Sequence, residues 1–268
     1  MDPLAQTGPT LTSIFEHTNS PPVHEPLNET HLPRIVPVGD MAILIELGET
    51  IDPRINAAVI ALDRRIRAMA IEGVVDLVPT YRSLLVHYDP DRIDGHALLA
   101  RLSKLRIDFE EPPTEGRLWT VPVAYGGEFG MDLEAVARRH GISPEEVIRL
   151  HTGPTYRVYM VGFVPGFTYL GGLDPRLHTP RLEEPRPRTP AGSVSIGGIQ
   201  TGIASVEIPS GWHLLGRTPV RTFDPERTPP LLLEPGDRVR FVPIDPARFV
   251  ELDRRAAMHD PLIAPEQG

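Results

Sequence analysis

The sequence predicts an α+β protein in which a small split-βαβ, ferredoxin-like domain precedes a β-barrel. Its first half alternates short apolar strands with two amphipathic helices in the order β-α-β-β-α, which is typical of a split βαβ unit. Its second half contains strands of about four to eight residues with glycine and proline corners, which favours a closed or nearly closed barrel. The stretch from Pro190 to Pro219 organises this half, since it has six glycines and only two charged residues, Glu207 and Arg217.

Composition and charge narrow the class of protein. The chain has 268 residues, of which 40% are hydrophobic, and a formal net charge of −9, which argues against nucleic acid as a partner. No window approaches about 18 consecutive apolar residues, and the N-terminus lacks the basic start of a signal peptide, so we expect no membrane insertion or export. The absence of cysteine excludes disulfides, thiol nucleophiles and thiolate metal sites. We therefore expect a cytoplasmic protein.

The number of lysines in the chain excludes two further kinds of site. Lys104 is the only lysine in the chain, so the sequence contains no P-loop and no lysine flanked as in a biotin carrier. Lys104 itself lies on a predicted helix, where we interpret it as a solvated charge. We expect no biotin on this chain.

Two segments are predicted to lie outside the folded domains. Residues 1–32 contain few large apolar groups and carry four acids without Lys or Arg, which predicts a disordered acidic tail. Histidines recur there at every seventh position, but the prolines between them argue against a helix, so we interpret the spacing as chance rather than as a metal site. Residues 110–116 are acidic and rich in proline, which predicts a linker.

Residues 33–109 form the predicted small α/β domain. Two strands come first, and Asp52 followed by Pro53 opens a helix. The apolar positions of that helix step by four and three, as expected for one buried face. They are Ile55, Val59, Leu62, Ile66 and Met69. Two further strands then flank a turn at residues 79–82, and Asp94 opens a second helix that we expect to continue to Leu105.

Residues 117–245 form the predicted barrel domain, which begins with a strand and two helices. Gly141 is expected at the C-terminal cap of the first helix. Ser143 and Glu146 form a capping box for the second, which we expect to end at about His151.

The rest of the barrel domain consists of strands and unusual connections. The loop 163–173 carries three aromatic residues and three glycines, which favours a wall of a cavity over a mere connection. Residues 174–189 are rich in arginine and predict an extended basic arm that either binds an anion or pairs with surface acids. A strand at 238–243 closes the barrel, and residues 246–268 predict a short helix and a frayed end.

The glycine-rich stretch indicates a lined pocket, although a set of barrel corners without any site would also be rich in glycine. Glycine lets other groups come close to the backbone. Arginine matches a carboxylate or phosphate, and Gln200 and Thr201 can bind an amide, so a small amide-bearing acid fits. His151 could carry a proton near neutral pH, or it could simply cap its helix. The candidate pocket residues are His151, Tyr156, Arg188, Ser193, Gln200, Thr201, Trp212, His213 and Arg217.

Several segments together resemble a known family, the B subunit of bacterial ATP-dependent 5-oxoprolinase. This family includes the subunit 1 type carboxyltransferase or allophanate-hydrolase-like domain and the Kip-type inhibitor of a sporulation histidine kinase. The resemblance extends from about Arg34 to Ile244. The matching segments are VGDMAILIELG, PTYRSLLVHYDP, YGGEFGMDLEAVA, YRVYMVGFVPGFTYLGGLDPRL, PRPRTPAGSVSIGGIQTGI, GWHLLGRTP and PGDRVRFVPI.

The resemblance implies a cyclophilin-like barrel and a reaction that several subunits carry out together. It implies that the chain acts with a C subunit, its direct partner, and an A subunit, and that it is inactive alone. The assembly would open the lactam of 5-oxo-L-proline to L-glutamate with ATP hydrolysis, and which of the subunits holds ATP is left open. The alternatives are a regulatory protein that inhibits a sensor histidine kinase and a carboxyltransferase-type or allophanate-hydrolase-like subunit for urea-like substrates.

The resemblance also selects positions for contact with ligand or subunits, namely the loop 165–167, Gln200–Thr201 and 216–218. We predict His151 and Arg217 as catalytic residues and expect no metal site. The predicted substrate-binding residues are Tyr156, Phe163, Pro165, Phe167, Arg188, Ser193, Gln200, Thr201, Trp212, His213, Gly216 and Thr218.

Overall fold

A computed structural model describes residues 33–109 and 116–266 of the protein. The predicted acidic tail with its three histidines, and most of the predicted linker, lie outside these residues. None of the helices in the two described ranges is long and apolar enough to cross a membrane.

The N-terminal part is a four-stranded antiparallel sheet with two helices. Its order is β1-β2-β4-β3, so β4 lies between β2 and β3, and helix α1 connects these two mutually parallel strands. This is the predicted split βαβ arrangement. Helix α2 ends at Leu102, about one turn earlier than predicted, where Ser103 caps it and bonds back to Leu99. The elements are β1 Arg34–Val38, β2 Ala42–Glu46, α1 Pro53–Ala68, β3 Val74–Pro79, β4 Ser83–Tyr88 and α2 Gly95–Leu102.

The second part is a closed seven-stranded barrel, which confirms the predicted α+β fold class. The strands follow one another around the barrel as β10-β7-β6-β13-β5-β12-β9, and β9 pairs back with β10. Strands β8 and β11 form a separate two-stranded ribbon. The elements are β5 Leu118–Tyr125, α3 Leu133–His140, α4 Pro144–Thr152, β6 Tyr156–Val161, β7 Thr168–Gly171, β8 Arg186–Thr189, β9 Ser193–Gly197, β10 Gln200–Ile203, β11 Ile208–Ser210, β12 His213–Arg217, β13 Arg238–Ile244 and α5 Pro246–Ala256.

Local signals place helices α3 and α4 as the sequence predicts. Gly141 ends α3 in the left-handed conformation, with a φ of 66°. The Ser143 hydroxyl accepts a hydrogen bond of 3.2 Å from the Glu146 backbone N–H at the start of α4. Both helices contribute to the same core as the inward-facing strand residues. Members of this core include Val136, Val147, Leu150, Tyr156, Val158, Leu170, Val194, Ile196 and Phe241.

The prediction that residues 163–173 form a loop is wrong in one respect, because this segment contains strand β7. This strand pairs with β6 on one side and β10 on the other, and so it is a full member of the barrel. It has four residues, which is too short for alternation to separate a strand from an irregular segment. Its pairing with the preceding strand β6 and with the more distant β10 shows that this segment is extended.

The predicted basic arm, residues 174–189, is held by ion pairs and strand pairing. A 3-10 turn at Pro175–Leu177 and strand β8 occupy its two ends. Three of its four arginines contact acids, which supports pairing over anion binding for these three. The pairs are Arg176 with Asp174, Arg186 with Asp132, and Arg188 with Glu207.

Asp237 fastens the start of strand β13 to the start of β5. Its carboxylate accepts hydrogen bonds from the Arg117 guanidinium at 2.7 and 3.1 Å and from the Trp119 indole at 3.1 Å. It also accepts from the Glu234 backbone N–H at 3.0 Å and is 4% exposed. A buried carboxylate with this many donors stabilises the fold only while all partners are present.

We predict that Asp237→Ala lowers the free energy of unfolding by about 2–4 kcal/mol, because it leaves buried donors without an acceptor. Urea unfolding followed by circular dichroism measures this change. Glu234→Gln is the matched control, because Glu234 is a solvent-exposed partner of the same arginine at 3.4 Å and its loss should cost less than about 1 kcal/mol. Equal losses in the two variants would contradict the role assigned to Asp237.

Candidate functional site

Two hydrogen bonds hold the His151 ring inside the barrel, and a third, between Thr201 and Ser195, fixes its tautomer. Its Nδ1 lies 2.8 Å from the Tyr125 hydroxyl, and its Nε2 lies 2.9 Å from the Thr201 hydroxyl. The single Thr201 hydroxyl proton is donated to the Ser195 carbonyl oxygen at 2.9 Å. Nε2 must therefore donate to Thr201, and the Tyr125 hydroxyl must donate to Nδ1. His151 is thus the neutral Nε2–H tautomer with both nitrogens satisfied.

The surroundings of His151 favour a structural role. Its side chain is 0% exposed, and its ring stacks on Phe241 with 4.8 Å between ring centroids. Burial lowers the pKa of His151 to about 3 and raises the pKa of Tyr125 well above its usual value. Tyr156, also fully buried, donates its hydroxyl to the His151 carbonyl oxygen at 2.6 Å. This burial argues against direct proton transfer between His151 and a substrate.

Another group of predicted residues lies on the outer face of the barrel. Gln200 and Gly202 alternate with the inward-facing Thr201 and so point outward from β10. Aromatic rings cover this face, with centroids 4.6–6.0 Å apart between successive neighbours. We use the name outer-face groove for this packed surface, in which the side chains of Tyr159, Phe167 and Trp212 are only 4–6% exposed. Its aromatic residues are Tyr81, Tyr159, Phe167, Tyr169 and Trp212.

Glycines make room for these rings against the strands. A Cβ at Gly197 would lie 2.7 Å from atoms of the Trp212 ring, and one at Gly202 would lie 3.2 Å from the same ring. A Cβ at Gly171 would lie 2.4 Å from the Tyr159 ring. Real side chains rarely or never approach this closely, so glycine is the residue that fits. The glycine-rich stretch therefore lines a surface as well as forming turns.

The groove also contains polar groups. The Gln200 side-chain nitrogen and the Tyr81 hydroxyl are both buried, and neither has a hydrogen bond of good geometry within the described residues. The two side chains lie within hydrogen-bond reach of each other, and burial raises the pKa of Tyr81 while this hydrogen bond and the charge of Arg181 partly offset the rise. The Arg181 guanidinium carbon lies 5.6 Å from the centre of the Trp212 ring. An amide, a phenol and a cation thus converge among the aromatic rings.

Sequence reasoning missed several of these residues, namely Tyr81, Tyr159, Tyr169 and Arg181. Tyr81 belongs to the turn between β3 and β4 of the N-terminal sheet, far from the barrel in sequence. The one signal for it was its position inside PTYRSLLVHYDP, a segment that carries the family resemblance. Nothing in the local pattern indicates that this turn packs on the barrel.

Arg217 and its neighbours lie at the other end of strands β9 and β12. Arg217 is opposite Ser193, whereas His213 is opposite Ile196, nearer the Gly197 end of β9. Arg217 donates two hydrogen bonds to the Ala191 carbonyl oxygen, at 3.2 and 3.1 Å, and lies over the Phe249 ring at 5.4 Å. The structure thus brings neither Arg217 nor the adjacent Gly216 and Thr218 into the groove. Its contacts favour a role in holding the 190–192 turn and α5.

The remaining predicted residues are distributed as follows. His213 is half-buried at the edge of the groove, where its Nε2 donates to the Pro180 carbonyl oxygen at 2.9 Å and its Nδ1 has no partner among the described residues. Arg188 is exposed and paired with Glu207 at 2.7 Å. Ser193 donates to the Pro190 carbonyl oxygen at 2.7 Å. No cluster of three or more His, Asp or Glu side chains suited to a metal occurs within residues 33–109 and 116–266.

Phe163 stands out because it is 67% exposed and has a φ of 72°. A non-glycine residue in this left-handed region costs about 1–3 kcal/mol. The loop that enforces it is anchored by the Thr222 hydroxyl, which donates to the Gly166 carbonyl oxygen at 2.9 Å, and by Ser205, which donates to Pro165. The ring of Phe167 meets Phe163 edge-on at 6.1 Å. A rigid loop thus presents an aromatic side chain to solvent.

The buried His151 predicts a specific pH dependence of stability. The unfolded chain protonates this residue near its ordinary pKa of 6.5 and the folded chain only near 3. The unfolded state binds more protons in this window, so His151 makes the free energy of unfolding fall as the pH falls, by up to about 1.4 kcal/mol per pH unit.

His151→Gln should remove that slope, measured as urea unfolding at several pH values between about 4 and 6.5. His96→Gln, on the exposed side of α2, is the matched control and should retain the wild-type slope. Identical slopes for wild type and His151→Gln would contradict the assignment of a neutral buried His151.

Comparisons with known proteins agree with this architecture. Residues 33–233 match the carboxyltransferase domain, subdomain C and D. The chain is 42% identical over 222 residues to the 5-oxoprolinase B subunit of Bacillus subtilis, which covers 79% of this chain and 92% of that protein. For the 5-oxoprolinase B subunit of Haemophilus influenzae the identity is 40% over 208 residues, covering 78% and 96%.

A solved structure and a more distant relative extend the comparison. The crystal structure of TTHA0988 matches with a TM-score of 0.68 and 40% identity over 76% of this chain, and this chain spans 40% of that one. Urea amidolyase of Lachancea kluyveri is 28% identical over 255 residues, which are 81% of this chain and 13% of that protein. The chain belongs to the family of 5-oxoprolinase B subunits, and it contains the carboxyltransferase domain of the C and D type.

Proposed function

We propose that this protein is the B subunit of an ATP-dependent 5-oxoprolinase that acts together with A and C subunits. The observation that carries this proposal is the similarity to relatives of that name over nearly their whole length. In the reaction, water adds to the lactam carbonyl of 5-oxo-L-proline, the C–N bond breaks, and the nitrogen takes up a proton to give L-glutamate. ATP hydrolysis to ADP and phosphate drives the opening.

The groove provides groups for binding rather than for proton transfer. His151 is locked away from solvent by its own hydrogen bonds. The proposal therefore gives the catalytic acid or base to another subunit, so this chain is inactive alone. ATP is a co-substrate of the assembly, and the proposal does not assign it to one subunit.

The alternatives have less support. A regulator of a sensor histidine kinase has no supporting observation beyond the resemblance, and the relatives' shared name favours the oxoprolinase. A carboxyltransferase for urea-like substrates has only the distant similarity to urea amidolyase. A cytoplasmic location is part of the proposal, since a chain without cysteine suits a reducing compartment.

The exposed Phe163 supports docking of the C subunit at the loop 163–167. An aromatic side chain that a rigid loop holds outward is a typical anchor for a partner's pocket. Its strained φ of 72° indicates that the surrounding loop imposes this conformation. Docking of the C subunit here would cover an aromatic side chain that is otherwise two-thirds exposed to water.

Reconstitution tests the proposed activity. Mixing the purified chain with its A and C partners should give ADP release that depends on 5-oxoproline, and every mixture of two subunits should be inactive. The measurement is a coupled ADP assay with and without the lactam. A three-subunit rate no higher than the rates of the two-subunit mixtures would contradict the proposed function.

Phe163→Gly should weaken the affinity for the C subunit at least about tenfold. It should leave the melting temperature unchanged or slightly raised, since glycine adopts a positive φ without strain. Isothermal titration with the purified C subunit measures the affinity. Met131→Ala is the matched control, because Met131 is also an exposed apolar side chain. Unchanged affinity of Phe163→Gly would show that the loop does not dock the C subunit.

A further inference from the structure

We propose that the seam between helix α1 and the barrel contains a binding site for a phosphate group, with the guanidinium groups of Arg64 and Arg157 as its donors. The site lies at the turn of residues 234–237 and uses neither the aromatic rings of the outer-face groove nor Phe163. The phosphate group is either free phosphate or part of a nucleotide. The inference is independent of the proposed function, because it rests on two arginines that no acid among the described residues neutralises.

One side of helix α1 packs on the barrel and brings Arg64 to the start of strand β6. Asn56, Ile60 and Arg64 follow one another at intervals of four residues, so they lie along the same side of the helix. The Asn56 side-chain nitrogen donates to the Tyr159 carbonyl oxygen of β6 at 3.0 Å. Ile60 is one helical turn further on, and its Cδ1 lies 3.7 Å from where a Cβ at Gly236 would be. The next turn of the helix places Arg64 beside the same glycine.

The two guanidinium groups converge at Gly236. A Cβ at this glycine would lie 3.7 Å from Arg64 Nη2 and 3.8 Å from Arg157 Nη2, so both nitrogens border the same small space. Their separation is at most the sum of these two distances, which one phosphate can bridge with hydrogen bonds of about 2.8 Å on each side. Gly236 has a φ of 95°, a conformation that favours glycine. Residue 236 therefore places no side chain in this space.

The positive charge of this pair is not compensated within the part of the chain that the structure describes. Neither the Arg64 nor the Arg157 side chain takes part in an ion pair or hydrogen bond there, and Arg157 Nε is buried without a partner. Burial lowers the pKa of Arg157, and the charge of Arg64 lowers it further, although Tyr159 opposes this effect. Two like charges and a buried unpaired donor are costly in the protein alone, and a bound anion relieves both costs.

The charge and shape of the site select a phosphate group. Two uncompensated guanidinium groups match about two negative charges, and a phosphate group carries about −1.5 to −2 near pH 7. Its oxygens point in several directions, so guanidinium groups that approach from a helix and from a strand can bind different oxygens. A carboxylate carries one charge and directs both of its oxygens to the same side. We therefore expect a carboxylate to bind more weakly than phosphate.

Isothermal titration of the full-length chain tests the site, with inorganic phosphate and ADP as the two probes. At about pH 7.5 and constant ionic strength, at least one probe should bind in a saturable way with a Kd of about 1 mM or lower. A lower Kd for inorganic phosphate indicates free phosphate as the ligand, and a lower Kd for ADP indicates a nucleotide. Succinate, a dianion with two carboxylates, is the control for charge and should bind at least about tenfold more weakly than the tighter probe.

Variants then assign the contacts. Arg64→Met and Arg157→Met keep an unbranched apolar side chain without the charge, and each should raise the Kd of the tighter probe at least about tenfold. Without ligand their melting temperatures should equal or exceed that of wild type, because the repulsion between the two charges is gone, whereas a purely structural role would lower them. Arg64 is exposed, so its variant decides the test if Arg157→Met does not fold. Arg101→Met, on the exposed side of α2, is the charge-matched control and should bind like wild type.

Three outcomes would overturn the inference. The first is that neither inorganic phosphate nor ADP binds at concentrations up to about 20 mM, well above millimolar affinity. The second is an unchanged Kd for Arg64→Met, which would place the bound phosphate group elsewhere on the protein. The third is that succinate binds as tightly as the better phosphate probe, which would show that the site does not select phosphate.

Discussion

Room for aromatic rings against the barrel backbone is the constraint on which the outer-face groove depends. Trp212 covers Gly197 and Gly202, and Tyr159 covers Gly171, at distances that leave no room for a Cβ without displacing the rings. With the rings lying this close to the strands, the next layer of residues, including Tyr81 of the N-terminal sheet, can reach the barrel surface. The glycine-rich stretch therefore matters as much for what packs on it as for the turns it makes.

Two kinds of buried polar residue are present, and their hydrogen bonds distinguish them. His151 and Asp237 have their polar atoms occupied by protein donors and acceptors, so they stabilise the barrel and offer nothing to a ligand. Gln200 and Tyr81 are less well satisfied, because the contact between their two buried side chains is the hydrogen bond that lowers the pKa of Tyr81 against the larger effect of burial.

The candidate site is composite at two levels. Within the chain, Asn56 fixes the N-terminal turn to the barrel, so the small sheet forms a wall of the groove. Between chains, the proposed docking of the C subunit would cover the exposed and strained Phe163. Under the proposed function, this chain would contribute binding surfaces to a larger assembly, and another subunit would supply the catalytic acid or base.

Periodicity and capping in the sequence by themselves determined the fold class, the helices and most strands, because these signals depend on residues close in the chain. Gly141 and the pair Ser143–Glu146 placed two helix boundaries correctly for this reason. Strand β7 was missed because its four residues are too few for alternation to show, and because its second partner, β10, is distant in sequence. The sequence also selected Gln200 and Trp212, which lie in the groove, together with His151 and Arg217, which do not.

Only the tertiary structure decided which of these polar residues face the interior of the barrel and which face the groove. Alternation along β10 sends Thr201 to the interior with His151 and Gln200 to the groove, although the two are adjacent in the chain. Tyr81 joins Gln200 through packing between residues more than a hundred positions apart. Residue type can therefore be read from the sequence, but burial and hydrogen-bond satisfaction arise from contacts between distant segments.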